Sequence, residues 1–284
     1  MKNVERVGVI GAGTMGHGIA QVAAAAGCHV LLMDTTSELA ERGVARIRAN
    51  LNEGITRGKV PEAERDSILS RIATAVTPGA DLHDRDLIVE AVPERMDLKL
   101  TLLKSIEPAI AADAIIASNT SSLSISQMQS ALAQPRRMVG LHFFNPVHIN
   151  RLVEIVRGNA TDDDVVAASQ AFVERIGKEA IVVRDSPGFA TSRLGVLLGL
   201  EAIRMLEEGV ASAQDIDRAL ELGYRHPVGP LKLTDLVGLD VRLDIARYLY
   251  AELGAEQFKP PMLLEQMVAQ GKLGKKTGEG FYTW

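Results

Sequence analysis

The chain has 284 residues, 46% of them apolar and 24% charged, the composition of a soluble globular protein with room for two domains. Its 31 basic and 36 acidic residues give a formal net charge of −5 with no long basic run, which argues against nucleic acid or an anionic membrane surface as the main partner. A single cysteine, Cys28, allows no internal disulfide and suits a reducing, cytoplasmic setting; the N-terminus runs into a strand without a signal-peptide core, and no apolar run is long enough to span a bilayer.

Residues 6–10, Arg-Val-Gly-Val-Ile, read as a short buried strand. Gly11-Ala12-Gly13-Thr14-Met15-Gly16 follows and opens a helix to about Ala26, so G-x-G-x-x-G stands between strand and helix, where a dinucleotide pyrophosphate is bound. Gly11 permits the tight turn, Gly13 lets the backbone approach a phosphate, and Gly16 lets the helix lie close. A second strand, 30–33, ends in Asp34, at the spacing of the acid that accepts hydrogen bonds from the adenine ribose hydroxyls and repels a 2′-phosphate. Thr35 and Thr36 follow it, with no arginine, so the expected cofactor is NAD rather than NADP.

Helices are expected over 37–58 and from Pro61 to Leu69, then strands over 72–76 and 86–89, a helix over 98–110 and a strand over 114–117. The polar run Ser118-Asn119-Thr120-Ser121-Ser122 then falls at a strand's C-terminal end, where open α/β sheets bind ligands; Ser124 is placed to cap the next helix. A strand over 138–141 delivers His142, and strands over 152–156 and 180–183 flank a helix at 163–176. Asp185-Ser186-Pro187-Gly188 breaks the pattern. Helices over 189–208, 212–222, 230–237, 239–252 and 261–270 follow, and Gly195 and Gly199, one turn apart, suggest a close helix–helix approach. The expected fold is an α/β Rossmann-type N-terminal domain with a mostly parallel sheet, residues 1–184, followed by an all-α C-terminal domain, residues 185–284. The amount of Leu and Val in the helical half points to a homodimer through it, and the closing segment 272–282 reads as an ordered loop that could return to a phosphate.

The stretch 139–156 leaves two readings open. If the chain turns at Asn145-Pro146 and comes back, His142 and Glu154 can partner each other as a general base and its orienting acid. Otherwise it is a polar turn with His142 packed and Glu154 at the surface. The remaining histidines, His17, His29, His83, His148 and His226, show no metal-like spacing, so no metal is expected.

Five motifs in order resemble the 3-hydroxyacyl-CoA dehydrogenase family along the whole chain, most closely its short-chain bacterial 3-hydroxybutyryl-CoA members. They are Gly-Ala-Gly-Thr-Met-Gly at 11–16, Ser-Asn-Thr-Ser-Ser-Leu at 118–123, His-Phe-Phe-Asn-Pro at 142–146 with Leu-Val-Glu at 152–154, Asp-Ser-Pro-Gly-Phe at 185–189, and Gly-Lys-Lys-Thr-Gly-Glu-Gly-Phe-Tyr at 274–282. The resemblance implies reversible, NAD-dependent oxidation of an L-3-hydroxyacyl-CoA. It implies His142 as the proton-transfer residue, Glu154 as its partner, Ser121 beside substrate and cofactor, and Asn145 as the residue that orients the histidine loop. Asp34, Glu94, Lys99, Asn119 and Lys276 match cofactor contacts, and Asn50 and Arg57 match positions under the CoA tail. One departure stands out: where the family carries an asparagine near the substrate thioester, before an arginine, this chain has Ser192 before Arg193. Relatives of the same fold oxidise sugar acids such as L-gulonate, and some members have become non-catalytic. The intact His142 and Glu154 argue against the second of these, and the Ser-Asn-Thr-Ser-Ser run argues for acyl-CoA.

Overall fold

In a computed structural model that describes residues 4–76 and 82–284, the apolar runs of the first half line up as one eight-stranded sheet. The strands are β1 (Arg6–Ile10), β2 (His29–Met33), β3 (Ile72–Ala75), β4 (Leu87–Glu90), β5 (Ile115–Ser118), β6 (Met138–Phe143), β7 (Leu152–Arg157) and β8 (Glu179–Arg184). Their order is β3-β2-β1-β4-β5-β6-β7-β8, and every neighbouring pair is parallel except the antiparallel β6 and β7. β4 and β5 are buried along their whole length. Parallel strands covered on both faces are apolar throughout rather than alternating, which is why Leu-Ile-Val and Ile-Ile-Ala are legible as strands.

The crossovers are α1 (Gly16–Ala25), α2 (Ser37–Thr56), α3 (Glu62–Ser70), α4 (Met96–Ile106), α5 (Ile125–Gln129) and α6 (Asp163–Arg175). The Thr36 hydroxyl accepts the Leu39 N–H and starts α2; the Ser124 hydroxyl accepts the Gln127 N–H and starts α5, as its position suggests. α2 turns Ala40, Gly43, Ile47 and Leu51 inward at helical spacing and leaves its arginines outside. β6 runs two residues further than the apolar pattern suggests, because pairing with β7 extends the ladder through His142 and Phe143. The chain then leaves the strand through a cis Asn145–Pro146 peptide.

The chain divides into two compact units, Met1–Ser186, which carries the sheet, and Pro187–Trp284. The second unit is helical: α7 (Thr191–Glu207), α8 (Ala213–Arg218), α9 (Pro230–Val237), α10 (Leu239–Leu253) and α11 (Met262–Ala269), with a π-helical turn over Ala219–Gly223 where a single helix to residue 222 is expected. Val196, Leu200, Ile203, Leu239, Leu243 and Leu264 belong to its core. The glycines of α7 receive a side chain rather than a helix backbone: a Cβ on Gly199 would stand 3.3 Å from the Arg242 guanidinium carbon and 3.1 Å from the Thr234 hydroxyl. The closing segment is ordered and is tied to an acid of α9. Asp235 accepts the Phe281 and Tyr282 N–H groups and the Trp284 indole N–H, each at 2.9 Å. Among the described residues no helix is long and apolar enough to cross a membrane.

Candidate active site

The strand order reverses between β1 and β4, and that switch point opens the crevice at the C-terminal ends of the strands. The glycine turn lies there. Gly11 has φ +99°, and a Cβ on it would stand 2.6 Å from the Ala91 carbonyl oxygen; a Cβ on Gly16 would overlap the Gly11 oxygen at 1.6 Å. Gly13 faces open space at the start of α1, so its backbone is available to an anion at the helix N-terminus. Ala12, Thr14 and Met15 complete the turn. Asp34, at the end of β2, accepts the Ala12 N–H at 2.8 Å and the Thr35 N–H at 2.7 Å, which fixes the carboxylate beside the turn. A cavity of about 520 Å³ runs along this edge, lined by Gly11, Gly13, Thr14, Asp34, Val92 and Leu98 among others. An open glycine cradle, a helix N-terminus and a negative ribose acceptor fit NAD and oppose a 2′-phosphate.

Four more residues meet at the neighbouring strand ends. One Glu94 carboxylate oxygen accepts the Thr120 hydroxyl at 2.6 Å, the Ser121 N–H at 2.9 Å and the Ser121 hydroxyl at 3.2 Å. The Asn119 side-chain oxygen accepts the Phe143 N–H at 2.9 Å, tying the end of β5 to the residue after His142. Lys99, also expected at the cofactor, is wholly enclosed. Its ammonium donates to both oxygens of Glu90 at 2.7 and 2.9 Å and lies 3.3 Å from Glu94. An ammonium buried behind the loop is stable only with such partners, and one of them, Glu94, also holds Ser121. Glu90 was not singled out in the sequence. The available signal was an acid closing a fully apolar strand, with a lysine nine residues on.

His142 and Glu154 are opposite each other in the β6–β7 ladder, and His142 Nδ1 lies 2.7 Å from Glu154 Oε2. Glu154 is fully buried and His142 nearly so. A carboxylate can only accept, so the Nδ1 nitrogen carries the proton of this bond and Nε2 carries the lone pair of the neutral ring. Phe144 leans on the imidazole at 4.4 Å between ring centroids. Asn145, expected to orient the histidine loop, is exposed at its turn. Lys178, which donates to the Val147 and Asn150 carbonyls at 2.5 Å, and the Asn150 amide, 3.4 Å from the Phe144 and Pro146 carbonyls, also hold the loop. Burial lowers the pKa of Lys178.

Asn50 and Arg57, on α2 and just past its end, line a second cavity of about 540 Å³ with His148 and Ile149. Asn50 donates to the Gln21 side chain at 3.1 Å, and Arg57 pairs with Glu53 at 2.5 Å. A third cavity, between α1, α2 and the histidine loop, is lined by His17, His148, Asn145 and Arg57. Burial lowers the pKa of both histidines; the contact of His17 Nδ1 with the Gly13 carbonyl, at 2.6 Å, works against this, while each imidazole's charged surroundings add a smaller effect. Ser192 is the second residue of α7, and Lys276 is held by Asp240 at 2.5 and 2.6 Å; both belong to the second unit. Among the described residues no cluster of three or more His, Cys, Asp or Glu could hold a metal ion.

Comparison with known proteins agrees with this geometry. The family model described as 3-hydroxyacyl-CoA dehydrogenase, NAD binding domain, matches residues 6–186, and that family's C-terminal domain matches 188–284. A 3-hydroxybutyryl-CoA dehydrogenase of Mycobacterium tuberculosis is 43% identical over 99% of this chain and 99% of its own length; one of Bradyrhizobium diazoefficiens is 41% identical over 99% and 96%. The crystal structure of (S)-3-hydroxybutyryl-CoA dehydrogenase from Ralstonia eutropha superposes with a TM-score of 0.95 at 41% identity, covering 99% of both chains. With both domain models matched end to end and the NAD cradle in place, the chain belongs to the 3-hydroxyacyl-CoA dehydrogenase family.

Proposed function

We propose that this protein reversibly oxidises the 3-hydroxyl of short-chain L-3-hydroxyacyl-CoA thioesters, 3-hydroxybutyryl-CoA foremost. The observation that carries the reading is the 2.7 Å contact between His142 Nδ1 and the buried Glu154 carboxylate, in a chain that has the family's NAD-binding domain. NAD, when bound, supplies the hydride acceptor. In oxidation, His142 Nε2 takes the hydroxyl proton as C3 gives up hydride; Glu154 holds the ring in that tautomer and stabilises the imidazolium. In reduction the same nitrogen returns the proton. Ser121, kept in place by Glu94, hydrogen-bonds the substrate oxygen, and Ser192 donates to the thioester carbonyl. Asp34, Glu94, Asn119 and Lys276 serve the cofactor, and the CoA tail lies over α2 at Asn50 and Arg57. The relatives' names support the four-carbon substrate.

The second unit is read as a dimerisation domain. Leu194 and Leu198 on α7, Leu233, Leu236 and Val237 on α9, and Val241 on α10 are large apolar side chains left exposed, which suits a second copy of this chain. Light scattering tests that point: a monomer at micromolar concentration would refute it.

The activity test follows NADH absorbance with acetoacetyl-CoA, supplying NADH and NADPH in separate runs. Rapid oxidation of NADH with little of NADPH is expected, and His142→Gln abolishes it. Turnover of L-gulonate with none of acetoacetyl-CoA would replace the substrate assignment, and no turnover of either would place the chain among non-catalytic members.

A further inference from the structure

Behind the strand ends lies a buried charge cluster that the proposed reaction does not itself use. Glu90 closes β4 with no exposed surface, and its carboxylate accepts four hydrogen bonds from three groups: two from the Lys99 ammonium, one from the Ser118 hydroxyl at 2.5 Å and one from the Val92 N–H at 2.7 Å. Lys99, equally buried on α4, also approaches the Val92 carbonyl at 3.5 Å and Glu94 at 3.3 Å. Glu94 in turn holds Thr120 and Ser121. The backbone closes the circuit: the Asn119 N–H donates to the Glu90 carbonyl at 2.8 Å, and the Asn119 side chain accepts the Phe143 N–H. One continuous run of bonds therefore joins α4, the ends of β4 and β5, and the residue next to His142.

A buried ion pair is a poor way to stabilise a fold. Replacing both partners with apolar groups of similar volume is often neutral or better, whereas removing one partner strands a charge. What such a pair does supply is geometry, because each charge accepts partners only at fixed distances. We infer that Glu90 and Lys99 are positioning residues of this dehydrogenase, setting through Glu94 and Ser118 where Ser121 and the His142 strand end stand. The inference rests on the reaction centre proposed above. Its electrostatics set the direction of each variant. Glu90→Gln leaves Lys99 to Glu94 alone and draws Glu94 away from Ser121. Lys99→Met leaves two facing carboxylates, whose repulsion displaces Glu94 the other way. The double variant Glu90→Gln with Lys99→Met removes both charges at nearly constant volume and leaves Glu94 free to keep its bonds to Thr120 and Ser121.

The test is a double-mutant cycle on the full-length protein, reading thermal stability, NADH binding by fluorescence, and kcat and KM with acetoacetyl-CoA. Each single variant is expected to lose roughly 10²-fold in kcat, the scale of an ångström-sized misplacement. NADH binding should weaken far less than kcat falls, because the glycine turn and Asp34 are untouched and Glu94 is the one displaced residue among those proposed for the cofactor. The double variant should recover most of kcat while unfolding at or above the wild-type temperature. Singles that lose stability but keep wild-type kcat per folded molecule would overturn the inference, as would a double variant no better than the worse single. The low-field proton resonance of the His142–Glu154 bond gives a reading that needs no substrate: it should shift in both singles and return in the double. If wild-type protein shows that resonance pattern across the cycle yet reduces no acetoacetyl-CoA, the substrate reading fails and the positioning role stands. If acetoacetyl-CoA is reduced and neither kcat nor the resonance responds to the variants, the positioning role fails alone.

Discussion

Arg242→Met should stabilise the second unit. Arg242 is 5% exposed on α10, lies against Gly195 and Gly199, and its Nε has no hydrogen-bond partner among the described residues. Burial without a compensating carboxylate pushes its pKa down to about 10. The drop from the ordinary guanidinium value, at about 1.4 kcal/mol per pH unit, corresponds to roughly 3 kcal/mol of destabilisation at neutral pH. Methionine covers the aliphatic stem but not the guanidinium volume, and that gap returns about 1 kcal/mol, leaving a net gain of about 2 kcal/mol. The sign of the pH dependence is fixed as well. Above about pH 10, up to the ordinary guanidinium value, the unfolded chain binds the proton that the folded chain has released, so wild-type stability rises with pH there, and the whole penalty is present below about pH 10. Urea denaturation at pH 7, repeated over a range of protein concentrations, measures the difference. A variant that unfolds at lower urea than wild type would refute the reasoning. If that loss grew with protein concentration, a second copy of the chain would be supplying the counter-ion.

Three further outcomes are expected. Glu154→Gln should lower kcat far more than it weakens NADH binding, since the carboxylate touches His142 and not the glycine turn; the reverse split in steady-state kinetics would make Glu154 a structural residue. Oxidation releases one proton, so the measured ratio of ketone to alcohol at fixed NAD and NADH should rise about tenfold per pH unit, and a flat ratio would exclude proton-coupled hydride transfer. His17 and His148 have folded pKa values held below the ordinary imidazole value by burial, so their contribution is present above about pH 6.5 and lost as pH falls below it; replacing both with Gln should flatten the fall in melting temperature between about pH 7 and pH 5.

What was legible in the sequence is what local rules dictate. G-x-G-x-x-G after Arg-Val-Gly-Val-Ile could be read because each glycine answers a steric demand of its own turn, and Gly11 and Gly16 have no room for a Cβ. The pairing of His142 with Glu154 was half legible: twelve residues across a proline turn permit it, but only the β6–β7 register makes them opposite. Boundaries slipped where pairing or helix winding depends on neighbours, at the end of β6 and in the π-helical turn after α8. Charged residues were the least legible. A motif places Lys99 and Asn145 but carries no burial or partners, and the partners of Lys99 lie on β4 and the loop after it, nine and five residues away in sequence. Arg242 is the same lesson in the other unit. Nothing in Leu-Asp-Val-Arg-Leu marks an arginine as interior; what marks it is that Gly195 and Gly199, more than forty residues earlier, leave it room. A glycine pair one turn apart in a helix therefore predicts a close approach without saying by what, and in this chain the approaching group is a charge.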